Sequence, residues 1–427
     1  MIKPLLVISA PVSTRSGYGD HARDLVTSLI KMDKFDVKII STKWGNTPMN
    51  ALTTTNPDHK AILDRILTQQ LNRPIDVWVQ VTVPQEFQKH GKFNVGISAG
   101  METTIIPLDW VHGCNKMDLV IVPSQHSKTC ILNTKYNEQE KDTGRVVKTH
   151  GVEVPVEVLF EGTDASIFNN IYTPDSDVES ELETVIEDFN FLFVGHWLSG
   201  ELGQDRKDVG MLIKTFLSTF KNKKKRPGLI LKTSQATFSV LDRERIIKNI
   251  KEIKGSISGD LPNIYLLHGD LSPSQMNTLF NHNKVKAMVS FTKGEGYGRP
   301  LQEFMFSGKP VIAPNWSGHV DFLSDYAIML DGKMTQVHKS AANNMILEQS
   351  HWFTVDYTNA ANVMVDLFNN YDTERGKTQK LVSKVQKNYS LDRMHEEFSK
   401  LVDKYITTQV HVPLNLPTLG LPKLNKL

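Results

Sequence analysis

The chain has 427 residues, 40% of them hydrophobic, enough to build two or three domain cores. Its 49 basic residues nearly cancel its 47 acidic ones, which argues against a whole-surface polyanion binder and leaves room for a local basic patch. Two cysteines, Cys114 and Cys130, exclude a disulfide framework, and their spacing matches no metal or redox motif.

The chain opens MIKPLLVISAPVSTRSGYG. Its apolar run is short, is broken by Pro11 and leads into a glycine turn, so it reads as a first strand and not as a signal peptide. No run approaches the ~18 apolar residues that span a bilayer, which predicts a soluble or peripheral cytoplasmic protein without integral membrane insertion. Short apolar runs follow at 37–41, 75–81, 95–99, 119–123 and 156–160, after the first at 5–10. Residues 18–32 carry Leu25, Leu29 and Ile30 at helical spacing. Alternation of this kind predicts parallel strands with crossover helices, a doubly wound sheet.

The pattern stops at 169–190, a polar, acidic stretch with Pro174 and the run DSDVESELE, which reads as a linker. A second series has strands at 191–195, 229–233, 264–268, 287–291 and 311–313, with helical segments such as 211–220 and 273–281. Closing helices are expected at 357–371 and 391–406. The expected fold class is α/β, with two Rossmann-like doubly wound domains facing a cleft between the sheets' carboxyl edges. The predicted division is 1–170 for an acceptor domain, 171–190 for the linker and 191–390 for a donor domain. Residues 391–407 then form a helix packing back on the first domain, and 408–427 a proline-containing tail.

The chemistry concentrates in KGEGYGRPLQEFMFSGKPVIAPNWSG, from Lys293. A strand ends at the turn Gly294-Glu295-Gly296-Tyr297-Gly298, and Arg299-Pro300 opens a helix, where proline suits the first turn. The glycines let a ligand approach the backbone, and the helix start attracts anions. Glu295 sits on the turn and Glu303 one turn into the helix. A phosphate cradle flanked by two carboxylates suits a sugar nucleotide. A loose G-x-G-x-G alone reads more simply as a strand-to-helix turn with two surface glutamates.

The full string resembles the E-x7-E signature of retaining, family-4-like glycosyltransferases of the GT-B fold. Glu295 and Glu303 have its spacing, and Gly308, Pro310, Val311 and Gly318 fall where such enzymes have them. Ser16-Gly17-Tyr18-Gly19 resembles their donor-facing glycine loop. EGTD before Phe168 resembles their entry to the linker, and LLHGDLSPSQMNTLF the region bordering the nucleobase. The resemblance spans about residues 5–406.

It implies a metal-independent hexosyl- or pentosyltransferase (EC 2.4) without a cofactor, using a UDP- or GDP-linked sugar donor. Glu303 would bind the donor ribose and Glu295 the transferred sugar, with the main-chain N–H groups of Gly296, Tyr297 and Gly298 on phosphate or sugar oxygens. Gly17, Gly19, Gly269 and Asp270 would border the donor. Lys207 matches the lysine of the basic pair that holds the diphosphate. His196 stands in place of the expected arginine, leaving Arg206 as a substitute. Glu102 occupies the loop where the family often has a histidine near the sugar, so the catalytic candidates are Glu295, Glu102 and Lys207; a helix-capping or surface role for Glu102 stays open. Asp20 and His21 could face the acceptor, and His319 and Asp321 the donor sugar. The aromatic rings of Trp44, Trp197, Trp316 and Trp352 could stack on a sugar or base, or simply fill the core.

The resemblance divides the acceptor into a bacterial surface glycan and a hydroxylated DNA base, the latter in a bacteriophage-type system acting in host cytoplasm. The basic run Lys221–Arg226, KNKKKR, fits the second or a solvated helix end. A GT-B epimerase or phosphorylase, or an inactive sugar-nucleotide-binding protein, shares the architecture.

Overall fold

The computed structural model describes residues 3–235 and 238–407; the expected tail at 408–427 lies outside them. The first half holds β1 (Leu5–Ala10), β2 (Asp36–Ser41), β3 (Val77–Val81), β4 (Phe93–Ile97), β5 (Leu119–Val122), an antiparallel hairpin of β6 (Tyr136–Gln139) and β7 (Val146–His150), and β8 (Val156–Val158). Leaving out the hairpin, these form one parallel sheet ordered β2-β1-β3-β4-β5-β8. Helices α1 (Gly17–Met32), α2 (Pro57–Leu63), α3 (Leu108–Cys114) and α4 (Gln125–Asn133) provide its crossovers. Every residue of β1 is buried, as a strand covered on both faces requires.

After α5 (Ser176–Glu183), the second half repeats the plan with β9 (Asn190–His196), β10 (Gly228–Ser234), β11 (Ile264–Leu267), β12 (Val285–Val289), β13 (Val311–Pro314) and β14 (Ile328–Leu330). Their parallel order is β11-β10-β9-β12-β13-β14. A second hairpin joins β15 (Gly332–Gln336) to β16 (His351–Val355). The helices are α6 (Val209–Phe220), α7 (Val240–Gly255), α8 (Pro273–Asn281), α9 (Arg299–Met305), α10 (Val320–Leu323), α11 (Tyr357–Asn369), α12 (Tyr371–Tyr389) and α13 (Leu391–Val402). Strand order reverses between β1 and β3 in one sheet and between β9 and β12 in the other, the crevices where open parallel sheets take ligands.

Met394, Phe398 and Val402 of α13 bury themselves with Leu25 and Leu29 of α1, so this helix from beyond the second half completes the first half's core. The crossing is pinned where the Thr163 N–H donates to the Tyr389 carbonyl and the Leu391 N–H to the Thr163 carbonyl, at 3.0 and 2.8 Å.

Stretch 169–190, read as a strandless linker, carries a helix. Asp175 caps α5 by accepting from the Asp177 and Val178 N–H groups, and Val178 and Leu182 bury one narrow face against the second core. The acidic residues point outward, which hides the helix in a polar string.

Candidate active site

The carboxyl end of β12 runs into the turn 294–298, which is buried throughout. Among the described residues, the N–H groups of Gly296, Tyr297 and Gly298 donate to no protein acceptor. Buried backbone donors rarely go unmatched, so three in a row are candidates for an acceptor from outside the chain. Gly298 has φ 104, a left-handed value that favours glycine. The Glu295 N–H is bonded instead to Ser317 Oγ at 2.9 Å.

The Glu295 carboxylate meets two cations: Lys207 Nζ at 2.5 Å and Arg206 Nη1 at 3.1 Å. Burial alone would raise its pKa, but these two cations hold it down at about 2. Lys207 is pushed below the ordinary lysine range by burial, with Glu295 opposing. Arg206 also donates to the Gly294 carbonyl at 2.8 Å and reaches Glu102 at 3.6 Å. Glu102 projects from the first half's loop after β4, so Arg206 stands between the carboxylates of both halves. The backbones touch here as well. A Cβ on Gly296 would come within 2.1 Å of the Ala99 carbonyl oxygen, and one on Gly294 within 1.9 Å of the Glu102 oxygen. Ser124 Oγ donates to the Gly296 carbonyl at 2.6 Å.

Glu303 lies on α9 beside Arg299, whose Nε reaches it at 2.9 Å. The same guanidinium meets Asp24 of α1 at 2.8 Å and Glu161 at 3.8 Å. Burial raises the pKa of both Glu303 and Glu161 to about 7, against the pull of Arg299. Arg299 thus ties the second half's helix to the first half's first helix. His21, 2% exposed, is held neutral by burial and by Arg299, with its pKa lowered to about 3.

At the other end of the crevice, Lys232 of β10 donates to the Gly269 carbonyl at 2.6 Å. Asp270 pairs with Arg15 across the cleft at 2.6 Å. A cavity of about 480 Å³ opens beside this loop, lined by Asp177, Glu181, Arg243, His268, Gly269 and Asp270. His196 bonds Ser234 Oγ at 3.0 Å, and burial together with Lys207 pushes its pKa down, so it brings no charge at neutral pH. Gly19 is required because its Cβ would lie 2.3 Å from the Thr14 oxygen, whereas a Cβ on Gly17 would meet nothing within 4 Å.

No protein-family model and no curated protein sequence matches the chain. Solved structures do match over nearly its whole length. Sucrose-phosphate synthase from Thermosynechococcus elongatus is 13% identical, with a TM-score of 0.59 over 94% of this chain and 98% of that one. A glycosyltransferase from Rickettsia africae is also 13% identical, with a TM-score of 0.60 over 95% and 99%. Anabaena HepE, solved with UDP and glucose, is 13% identical, with a TM-score of 0.53 over 93% and 99%. The chain has the GT-B fold.

In a GT-B chain the cleft between the sheets is the place to look for substrates, and the sequence-selected residues distribute around it unevenly. Glu295, Arg206, Lys207, Glu102 and the 296–298 backbone converge. Glu303 lies one helical turn away, held by Arg299. The Tyr297 side chain turns into the core beside Phe322, leaving only its backbone for a ligand. His319 is fully buried and donates to or accepts from its own segment, with Nε2 at 2.7 Å from the Pro314 oxygen. Asp321 accepts from the Gln125 N–H at 2.8 Å, a tie between the halves. Asp20 is paired with Arg23. Trp197 and Trp352 are core residues, Trp316 packs against His126, and Trp44 stacks on Tyr18 with centroids 3.9 Å apart. Sequence reasoning missed Arg15, Lys232, Asp208 and Lys293; a charged side chain in or shortly after a strand was the signal for Arg15, Lys232 and Lys293, and Asp208 offered none beyond its place next to Lys207. Among the described residues, no group of three or more His, Cys, Asp or Glu side chains could hold a metal, and no helix is long and apolar enough to cross a membrane.

Proposed function

We propose that the chain is a retaining glycosyltransferase that moves a sugar from a nucleoside diphosphate sugar to an acceptor hydroxyl, without a metal. The observation that carries this reading is the anion cradle at 296–298 with Lys207 and Arg206 beside it. The leaving diphosphate gains charge as the glycosidic bond breaks, and these groups are aimed where that charge develops. Glu295, kept ionised by the two cations, accepts hydroxyl protons of the transferred sugar. Glu303 takes the ribose by exchanging its bond to Arg299. Glu102 faces the reacting centre from the first half. None of these carboxylates stands free as a nucleophile, which favours same-face attack, with the departing phosphate taking the acceptor's proton and the protein supplying positioning. HepE bound to UDP-glucose and the Escherichia coli structure bound to UDP-2-fluoroglucose support a UDP-linked donor over a GDP-linked one. Gly269, Asp270 and Lys232 would border its base.

The acceptor reading favours a glycan over a hydroxylated DNA base. The carboxyl rim of the first sheet offers exposed Lys43 and Lys89 beside Glu86 and Glu102, while Arg15 is tied to Asp270. A duplex presents one charge per ~1.7 Å and calls for more cations than that. The run at 221–226 does not help, because it follows the far end of α6, about 18 Å along the helix from Asp208. The Trp44–Tyr18 stack at this rim suits a pyranose ring.

The first test incubates the protein with a panel of nucleotide sugars and measures released nucleoside diphosphate by mass spectrometry, with Lys207→Ala and Glu303→Ala alongside. Release from one donor, lost in both variants, supports the reading. Failure to bind any sugar nucleotide by calorimetry sinks it. Transfer to hydroxymethylcytosine DNA but to no glycan would reverse the acceptor preference.

A further inference from the structure

Asp208 directly follows the basic pair and adopts a left-handed conformation, φ 51 and ψ 36, which costs a non-glycine residue on the order of 1 kcal/mol. Its side chain accounts for that. Oδ2 accepts from Tyr357 Oη at 2.6 Å and pairs with Lys293 Nζ at 3.2 Å. Lys293 and Asp208 are 1% and 0% exposed. Lys293 Nζ also donates to Thr354 Oγ1 of β16 at 2.9 Å. Its backbone joins the same segments: the N–H donates to the Arg206 carbonyl at 2.6 Å, and the carbonyl accepts from the Phe353 N–H at 2.9 Å.

Lys293 therefore links the loop that carries Arg206 and Lys207, the start of the glycine-rich turn, and the β15–β16 hairpin. A buried ion pair is a poor source of stability, since apolar residues of similar volume often do as well or better. Such a pair is better explained by the geometry it fixes. Arg206 and Lys207 repel each other. Glu295, Glu102 and Asp205 offset that repulsion, and a rigid base keeps the two cations side by side.

We propose that Lys293 is a positioning residue, whose buried pair with Asp208, braced by Tyr357 and Thr354, locks the bend that aims Arg206 and Lys207 into the cleft. The proposal rests on reading those two cations as the diphosphate-binding pair. It also gives the β15–β16 hairpin a part, since Phe353 and Thr354 of β16 hold the backbone and the side chain of Lys293.

The test uses the full chain with Lys293→Met and the double variant Lys293→Met/Asp208→Gly. Inorganic pyrophosphate is the calorimetric probe, and amide hydrogen exchange over residues 200–208 is read by mass spectrometry. Lys293→Met is expected to weaken pyrophosphate binding at least tenfold and to speed exchange in that loop. The double variant leaves no lone buried carboxylate and lets glycine adopt the bend freely, so its melting temperature returns towards wild type. Its pyrophosphate affinity should stay at least tenfold down, because the bend is then permitted but not enforced. Recovery of both affinity and protection would mean that the pair merely neutralises charge, and the proposal fails. If the wild type binds no pyrophosphate, the diphosphate reading falls, and exchange alone decides the positioning role: unchanged protection in the double variant overturns it. Should the lysine variants not fold, Tyr357→Phe removes one brace. A three- to tenfold loss of pyrophosphate affinity supports the proposal, and none refutes it.

Discussion

Glu303 and Glu161 crowd one guanidinium together with Asp24, and burial lifts both glutamates to about 7 from an ordinary value of 4.5. The folded chain thus holds protons there that the unfolded chain has lost. This contribution to stability is complete below about pH 4.5 and disappears as pH rises through 7. Glu303→Gln should therefore melt with a shallower decline between pH 5 and 8, and at pH 8 be at least as stable as wild type. Its donor affinity should drop roughly tenfold or more, as expected where function retains a destabilising group. Thermal melts across pH, with calorimetry at pH 8, check both halves of this expectation. Lys207 presents the opposite case, a cation whose proposed role is in the transition state. Lys207→Ala should lower kcat/KM by about 10²–10³, the scale of removing one oxyanion donor. Steady-state release of nucleoside diphosphate measures it. Glu295 stays ionised throughout, so neither limb of a pH profile near neutrality should belong to it.

Helix α1 shows how a single cap shapes the site. Ser16 Oγ accepts from the Gly19 N–H at 3.1 Å, starting the helix directly under Tyr18, whose hydroxyl accepts from the Ala99 N–H at 3.0 Å. Ser16→Ala should cost about 1 kcal/mol, visible as a lower denaturation midpoint with unchanged slope. All strands of both sheets except β14 were legible in the sequence, because covered parallel strands are nearly continuous apolar runs; β14 is three residues long and only Leu330 of it is buried. The glycine-rich turn was legible because its chemistry is local. What was hidden lacks such a signature. β15 is mostly exposed, and α12 spans 19 residues yet buries only Thr378, Val382 and Val385, too thin a stripe to stand out. The same limit hid part of the site. Lys293 and Asp208 lie 85 positions apart and meet only because β9 and β12 are neighbours. His319 and Tyr297 sit inside a suggestive string but turn inward, which spacing alone does not reveal.

Across the whole molecule the halves meet at several small contacts: Arg15 with Asp270, Gln125 with Asp321, Thr104 with His351, and backbone against backbone at Gly296. The Arg15–Asp270 pair is half exposed and adds little stability. Gly296→Ala is a harsher change, because the new methyl would lie 2.1 Å from the Ala99 oxygen, an atom that cannot swing aside. That variant should hold its halves apart, with a larger radius of gyration by small-angle scattering and lost transfer activity.

A seam closed by bare backbone also sets a tempo. On the proposed sugar-transfer reading, a donor enters and leaves when the halves part, so each round of chemistry would include one opening and one closing. The expectation from that reading is that the slowest step is a swing of large bodies through solvent rather than bond breaking. Turnover at saturating substrates should slow in proportion to added viscogen, and the spent nucleotide should be the last product to leave.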